Sequence, residues 1–487
     1  MASLTSAQAK YDYNWVFMKT IISFHGDTVK VLDYNNPNTL GSSSVTINNH
    51  KGDFLGYTNG CRIYNPELTI LEGTDSLNYS NPSFVYDDFC ISEFHLGYQS
   101  GRQGLMVLPS DSSLFLLHEI VDLNLEGDFF GFAENIFFSE LSVEDNLLEL
   151  VSLQNPILEE GIIGIGAMSA VKTADNIGWW IIKNDLHSNC YYSILFDGIN
   201  FGEQQFKCIG GENTTSGNGG VAAVFSPHGD IYARFSPSAG LFLFDFDRET
   251  GKLSNYKFID IPQTGLSGGL SFSPSGQFLY VSDPLFIRQY DIWSADVAAS
   301  EVIVAEYDGF IGNSLGQGTT FAQMQLAPDC RIYINTLPNL SYMHIIMRPD
   351  EKGDACNVKQ HSIDLPFPNS RNLPYFPNYR LDTGEPLCDS TKVIVLNGTM
   401  PPVATVDLQG EVKVFPNPAS HFINVLLDKK GKYTMSIMDM AGLQVLAVET
   451  DQAEVTIDVR GLSAGIYVLQ VLDSNTGKRM VKKVMVK

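Results

Sequence analysis

Val224-Phe225-Ser226-Pro227-His228-Gly229-Asp230-Ile231-Tyr232 recurs as Leu270-Ser271-Phe272-Ser273-Pro274-Ser275-Gly276-Gln277-Phe278-Leu279-Tyr280. It recurs again, in worn form, as Gln325-Leu326-Ala327-Pro328-Asp329-Cys330-Arg331-Ile332-Tyr333. In each copy an apolar strand runs into a Ser/Ala-Pro turn, where proline fixes φ, and in the first two copies the glycine two residues later supplies φ > 0. A second strand returns to tyrosine. A third alternates, as in Leu241-Phe242-Leu243-Phe244-Asp245-Phe246-Asp247. Pro227 to Pro274 spans 47 residues and Pro274 to Pro328 spans 54. A period near 50 residues, with about four strands per unit, is the spacing of propeller blades.

The same texture continues outward. Runs rich in aromatic and β-branched residues, such as Phe54 to Tyr64, Gly104 to Leu117 and Gly178 to Phe196, alternate with turn signals, and no helical period of useful length appears. Weaker echoes at Leu105–Phe115 and Ser169–Phe196 supply earlier blades. These copies resemble the WD40-like and YVTN-like β-propeller repeats of bacterial surface proteins. Tyr57-Thr58-Asn59-Gly60-Cys61-Arg62-Ile63-Tyr64-Asn65, Leu71-Glu72-Gly73 and Trp179-Trp180-Ile181-Ile182 resemble segments of secreted Bacteroidetes propellers. The expected fold is all-β. A propeller of about seven blades, with six or eight left open, occupies residues 10–388. A linker around Pro401-Pro402 follows over 389–411, and a small Ig-like β-sandwich over 412–487.

The last segment carries three motifs in order: Val414-Phe415-Pro416-Asn417-Pro418-Ala419, Ile437-Met438-Asp439-Met440-Ala441-Gly442, and Leu462-Ser463-Ala464-Gly465-Ile466-Tyr467-Val468. It closes on Lys482-Lys483-Val484-Met485-Val486-Lys487. Pro416 and Pro418 hold an extended entry that cannot become helix, and Ala441-Gly442 and Ala464-Gly465 read as hairpin punctuation. The set resembles the type A sorting domain of the type IX secretion system. That resemblance implies passage through the periplasm, export by recognition of residues 412–487, and a secreted or outer-surface location. It makes Pro416, Asn417, Pro418, Ala419, Gly442, Gly465, Tyr467, Lys482, Lys483 and Lys487 the sorting signal. Ala7-Gln8-Ala9 has the small-x-small form of a signal cleavage site, so residues 1–9 read as a leader stub.

Charge points the same way. The net charge is −24 from 31 Lys+Arg and 55 Asp+Glu. Val412–Lys487 holds 10 basic and 7 acidic residues, leaving 21 against 48, or −27, for the rest. A body this acidic repels nucleic acid and anionic membrane. No run of about 18 apolar residues spans a membrane as a helix.

Seven widely spaced cysteines with no CxxC pair fit disulfides or buried thiols better than structural zinc. The near-neighbour pairing is Cys61–Cys90, Cys190–Cys208 and Cys356–Cys388, leaving Cys330. HExxH, P-loop and GxGxxG motifs are absent, and no catalytic residue is assigned. Asp245, Asp247 and Glu249 would suit calcium, though an exposed strand face entering a turn explains them better. Asp87-Asp88 and Asp283 read as turn residues, His187 as a weak metal candidate, and Trp179-Trp180 as a stacking surface for sugar or as core. The expectation is a non-enzymatic binding and interaction module, such as an adhesin, for an extracellular protein or glycan ligand at one mouth of the propeller channel. The alternatives are a hydrolase or lyase acting on glycan or peptide, and a structural subunit of a surface assembly.

Overall fold

The computed structural model describes residues 9–394 and 412–487, except 35, 39, 42, 81–83, 92–96, 111–112, 123–131, 160, 162, 187, 211–221, 263–266, 370, 428, 439–443 and 474–478. The chain divides into two units, Met1–Glu306 with Phe321–Val395, and Tyr307–Thr320 with Leu396–Lys487. Among the described residues no helix is long and apolar enough to cross a membrane.

Among the described residues, seven sheets make up the first unit. The first blade pairs Asn14–Phe17, Thr20–Ser23 and Thr28–Asp33. The second pairs Val45–Asn48, Phe54–Thr58 and Ile63–Tyr64. Five four-stranded antiparallel blades follow, whose first strands are Leu105–Pro109, Ser169–Lys172, Ala222–Phe225, Gly269–Phe272 and Phe321–Leu326. First strand packs beside first strand at most of the seams between blades, so these strands are the innermost. The all-β propeller expectation therefore describes this unit. The segment read as a linker contributes a strand before it leaves. Val393–Ile394 pairs in parallel with Thr28 and Val29, giving the first blade its fourth strand from the far end of the chain.

A blade buries both faces against its neighbours, which is why its strands read as aromatic and β-branched runs. Between the fourth and fifth blades lie Val171, Trp180 and Ile182 on one side and Phe242, Phe244 and Phe246 on the other. The repeated turn has the geometry its residues predict. Gly229 and Gly276 take φ of +73° and +76°, and each amide donates to the carbonyl three residues back. In the third copy Cys330 holds this left-handed position at φ 63°.

That substitution corrects the disulfide expectation. The structure joins Cys61 to Cys90, Cys190 to Cys208, and Cys330 to Cys388. Asp389 N donates to Pro328 O at 2.8 Å, which seats Cys388 against the Cys330 turn with their Cα atoms 5.1 Å apart. Cys356 does not pair with Cys388. It lies buried and free at the end of the short turn Gly353–Cys356, where desolvation pushes its thiol up to about 11.

The C-terminal unit is a β-sandwich. One sheet orders Lys413–Phe415, Phe422–Leu426 and Glu454–Asp458; the other orders Gln444–Thr450, Tyr433–Met438, Gly465–Asp473 and Arg479–Val486. Alternation puts Ile423, Val425, Met435, Ile437, Leu469, Val471, Val484 and Val486 between the sheets.

Candidate functional site

Propellers usually meet ligands at the mouth of the axial channel. Here the chain fills that channel itself. Residues 372–381 follow the last blade without regular secondary structure, yet nearly all are buried. Buried backbone outside a sheet still needs partners for its polar groups, and this segment finds them around the ring. Asn372 donates to Ser44 Oγ beside the second blade. Gln325 of the seventh blade meets the Phe376 backbone, with its amide donating to the carbonyl at 3.3 Å and its oxygen accepting from the N–H at 3.5 Å. Asn378 donates to Pro227 O of the fifth blade at 3.0 Å, and Tyr379 OH to Val107 O of the third at 2.8 Å. Trp15 of the first blade stacks on Phe376, and Trp179 of the fourth meets Tyr379 edge-on. The plug therefore touches six of the seven blades.

The plug ends on an ion pair. Arg380 donates to both carboxylate oxygens of Asp12, at 2.7 and 2.6 Å, and to Ala9 O and Leu387 O. Both side chains of this fork are at most 10% exposed. At the N-terminal ends of the inner strands, Arg102 reaches from the third blade to Gly268 O and Ser267 Oγ, at 2.6 and 2.8 Å. Burial lowers its pKa to about 10. Gln103 beside it bonds both backbone groups of Ala223. A cavity of about 70 Å³ remains next to the plug, lined by Phe225, Phe272, Gln325, Phe376, Asn378 and Arg380. That holds a few waters, whereas small-molecule sites run to roughly 300 Å³ and more. Residues 372–381, which sequence reading passed over, line this cavity beside the inner strands.

Other sequence candidates serve the fold. Trp179 and Trp180 are both buried, and their indole N–H groups donate to Pro109 O and Arg248 O, so neither offers a sugar a free face. Asp283 is buried against Arg288. Asp245 accepts from Asn255, while Asp247 accepts from Thr250 Oγ1 and Glu249 N, which holds the turn. Asp87 and Asp88 lie in the short helical turn Asp87–Ile91. Among the described residues no three His, Cys, Asp or Glu side chains converge as metal ligands. His187 lies outside the described residues.

In the sandwich, the first motif and the last strand are fastened together. Asn417 Nδ2 donates to Lys483 O at 2.7 Å, and its Oδ1 accepts from Met485 N at 2.8 Å. Ala419 N donates to Met485 O and its carbonyl accepts from Lys487 N, both at 2.7 Å. Tyr467 is buried and donates to Ser463 O at 2.8 Å. Gly465 opens its strand, Lys482, Lys483 and Lys487 are exposed, and Gly442 lies outside the described residues. Residues 413–487 match the family described as the secretion system C-terminal sorting domain. The chain carries a type IX sorting tail. The sorting tail directs export by that system to the cell surface or the medium.

No curated protein matches the chain. Solved structures resemble it at low identity. A Lactobacillus plantarum protein shares 13% identity, covering 56% of this chain and 87% of its own, with a TM-score of 0.35. PorZ, a surface component of the type IX secretion system of Porphyromonas gingivalis, shares 10% over 98% of this chain and 75% of its own, at 0.28. A gluconolactonase of Xanthomonas campestris shares 11% over 49% and 85%, at 0.25.

Proposed function

We propose that the propeller is an extracellular binding and interaction module without catalytic turnover, meeting its protein or glycan ligand on outer surfaces of the blades. The observation that supports this reading is the filled axis. A propeller hydrolase or lyase would bring carboxylates, or a histidine and a carboxylate, to one channel mouth. In this chain the corresponding space is taken up by Tyr375, Phe376 and Tyr379, and its carboxylate, Asp12, is committed to Arg380. The net −27 of the residues before the tail gives the blades an acidic exterior, which favours neutral or basic partners.

The test presents the purified full chain to arrayed extracellular glycans and matrix proteins, and measures both retention and product release. Saturable retention with ligands recovered intact is the expected result. Time-dependent release of cleaved glycan or peptide would overturn the reading in favour of a hydrolase or lyase.

A further inference from the structure

This propeller follows a pattern when it encloses a cation. Lys183 meets Glu119, Arg288 meets Asp283, Arg331 meets Asp329, Arg380 meets Asp12 and Arg248 meets Asp382. Arg102 is given two neutral oxygens instead. Arg234, in the second strand of the fifth blade, departs from the pattern. It is wholly buried, and its Nε and both terminal nitrogens are without a hydrogen-bond partner. Among the described residues no carboxylate pairs with it.

The surroundings explain the orientation of this side chain but not its charge. The guanidinium lies 4.2 Å from the Phe242 ring centroid and 5.9 Å from that of Tyr191, across the seam between the fifth and fourth blades. Cation–π attraction recovers part of the desolvation cost. It does not replace a counter-charge for an ion enclosed in an apolar cluster, and a guanidinium does not escape by losing its proton. The neighbouring polar atoms sharpen the point. Tyr191 and Tyr232 are buried with rings 6.1 Å apart, and both hydroxyls are without a partner. Three guanidinium nitrogens and two phenols are donors in need of an acceptor, and one anion supplies an acceptor to one edge of the guanidinium and to a neighbouring phenol.

We propose that Arg234, with Tyr191 and Tyr232, encloses a single small inorganic anion of halide size between the fourth and fifth blades. The complete burial of Arg234 and Tyr232 sets the size limit, because it leaves no opening for an organic carboxylate tail. Such an ion binds the folded chain alone and stabilises it by mass action.

The test follows thermal unfolding of the full chain as sodium chloride replaces sodium isethionate at constant ionic strength. The wild type is expected to gain a saturating rise of about 1–3 °C. Arg234→Met, which keeps the stem and removes the donors, is expected to lose it. No chloride response in the wild type, or an equal response in Arg234→Met, would overturn the proposal. If Arg234→Met does not fold, wild-type crystals grown in sodium bromide decide the matter. An anomalous bromide peak beside the guanidinium supports the site, and ordinary water density there sinks it.

Discussion

In the sorting tail, Ile423, Val425, Met435, Ile437, Leu469 and Val471 meet between two sheets by alternation alone. Across the propeller axis, residues 372–381 meet Ser44, Val107, Pro227, Gln325 and Asp12 through directed hydrogen bonds and one ion pair. Both interiors are buried, but they fail differently. Apolar packing spreads its free energy over area, so volume-conserving swaps are tolerated. A directed network concentrates it, because removing one partner leaves the other buried and unsatisfied. The tail can therefore vary its core while keeping its clasp, whereas the axis depends on particular side chains.

The largest break in this comparison comes at Arg380. Arg380→Met leaves Asp12 enclosed without its counter-charge, and breaking such a pair costs about 3–5 kcal/mol. Calorimetry of the full chain should show the propeller transition falling while the tail transition stays in place. Adding Asp12→Asn should recover part of the loss, since the stranded charge is then gone. Equal stability in Arg380→Met and wild type would mean that the plug is held by its aromatic residues alone.

The second break is covalent. All seven cysteines lie before the tail, and Cys330–Cys388, 58 positions apart, closes a loop that includes the last three strands of the last blade and the whole plug. Cys330→Ser with Cys388→Ser should lower propeller stability by about 2–4 kcal/mol, the usual range for a loop of this size. The tail melts unchanged. Limited proteolysis should then cut between residues 365 and 392, which the bonded form protects; an unaltered digestion pattern would count against the disulfide as an anchor for the plug.

How much of this was legible depends on whether the signal is local. The blades announce themselves through Ser-Pro-x-Gly turns and alternating strands, each readable within a dozen residues. The tail does so through Pro416-Asn417-Pro418 and the closing Val484 and Val486. The plug, Asn372-Leu373-Pro374-Tyr375-Phe376-Pro377-Asn378-Tyr379-Arg380-Leu381, has no period and two prolines, so it reads as loop. Its partners are set by ring closure, which no window of sequence contains. Three aromatic residues within five positions were one sign of it. A second sign was Cys330 standing where the other copies have glycine: a side chain that takes a left-handed φ needs a reason, and here the reason is Cys388. Val393–Ile394 was hidden for the same cause as the plug, since two residues completing a sheet begun some 360 positions earlier leave no local trace.

The smallest effect separates the two units by acid. His118 is buried in the third blade, with Nδ1 2.6 Å from Asn78 Oδ1 and Nε2 3.0 Å from Ser139 Oγ. Burial lowers its pKa from 6.5 to about 3. The unfolded chain therefore takes up the proton first, so this contribution is full above about pH 6.5 and is lost as pH falls toward 3. One differential proton is worth about 1.4 kcal/mol per pH unit, or roughly 2 kcal/mol by pH 5. In the tail, Arg460 holds Asp458 down at about 2. Its small, solvent-screened contribution is present above the ordinary carboxylate value of 3.8 and declines only below it. Between pH 6.5 and 4.5 the propeller transition should descend while the tail transition holds, and His118→Gln should flatten the descent. A slope that survives His118→Gln would mean that the acid sensitivity of the propeller does not rest on His118, and it could not be assigned to Glu119, whose carboxyl burial holds above its ordinary value and so acts in the opposite direction.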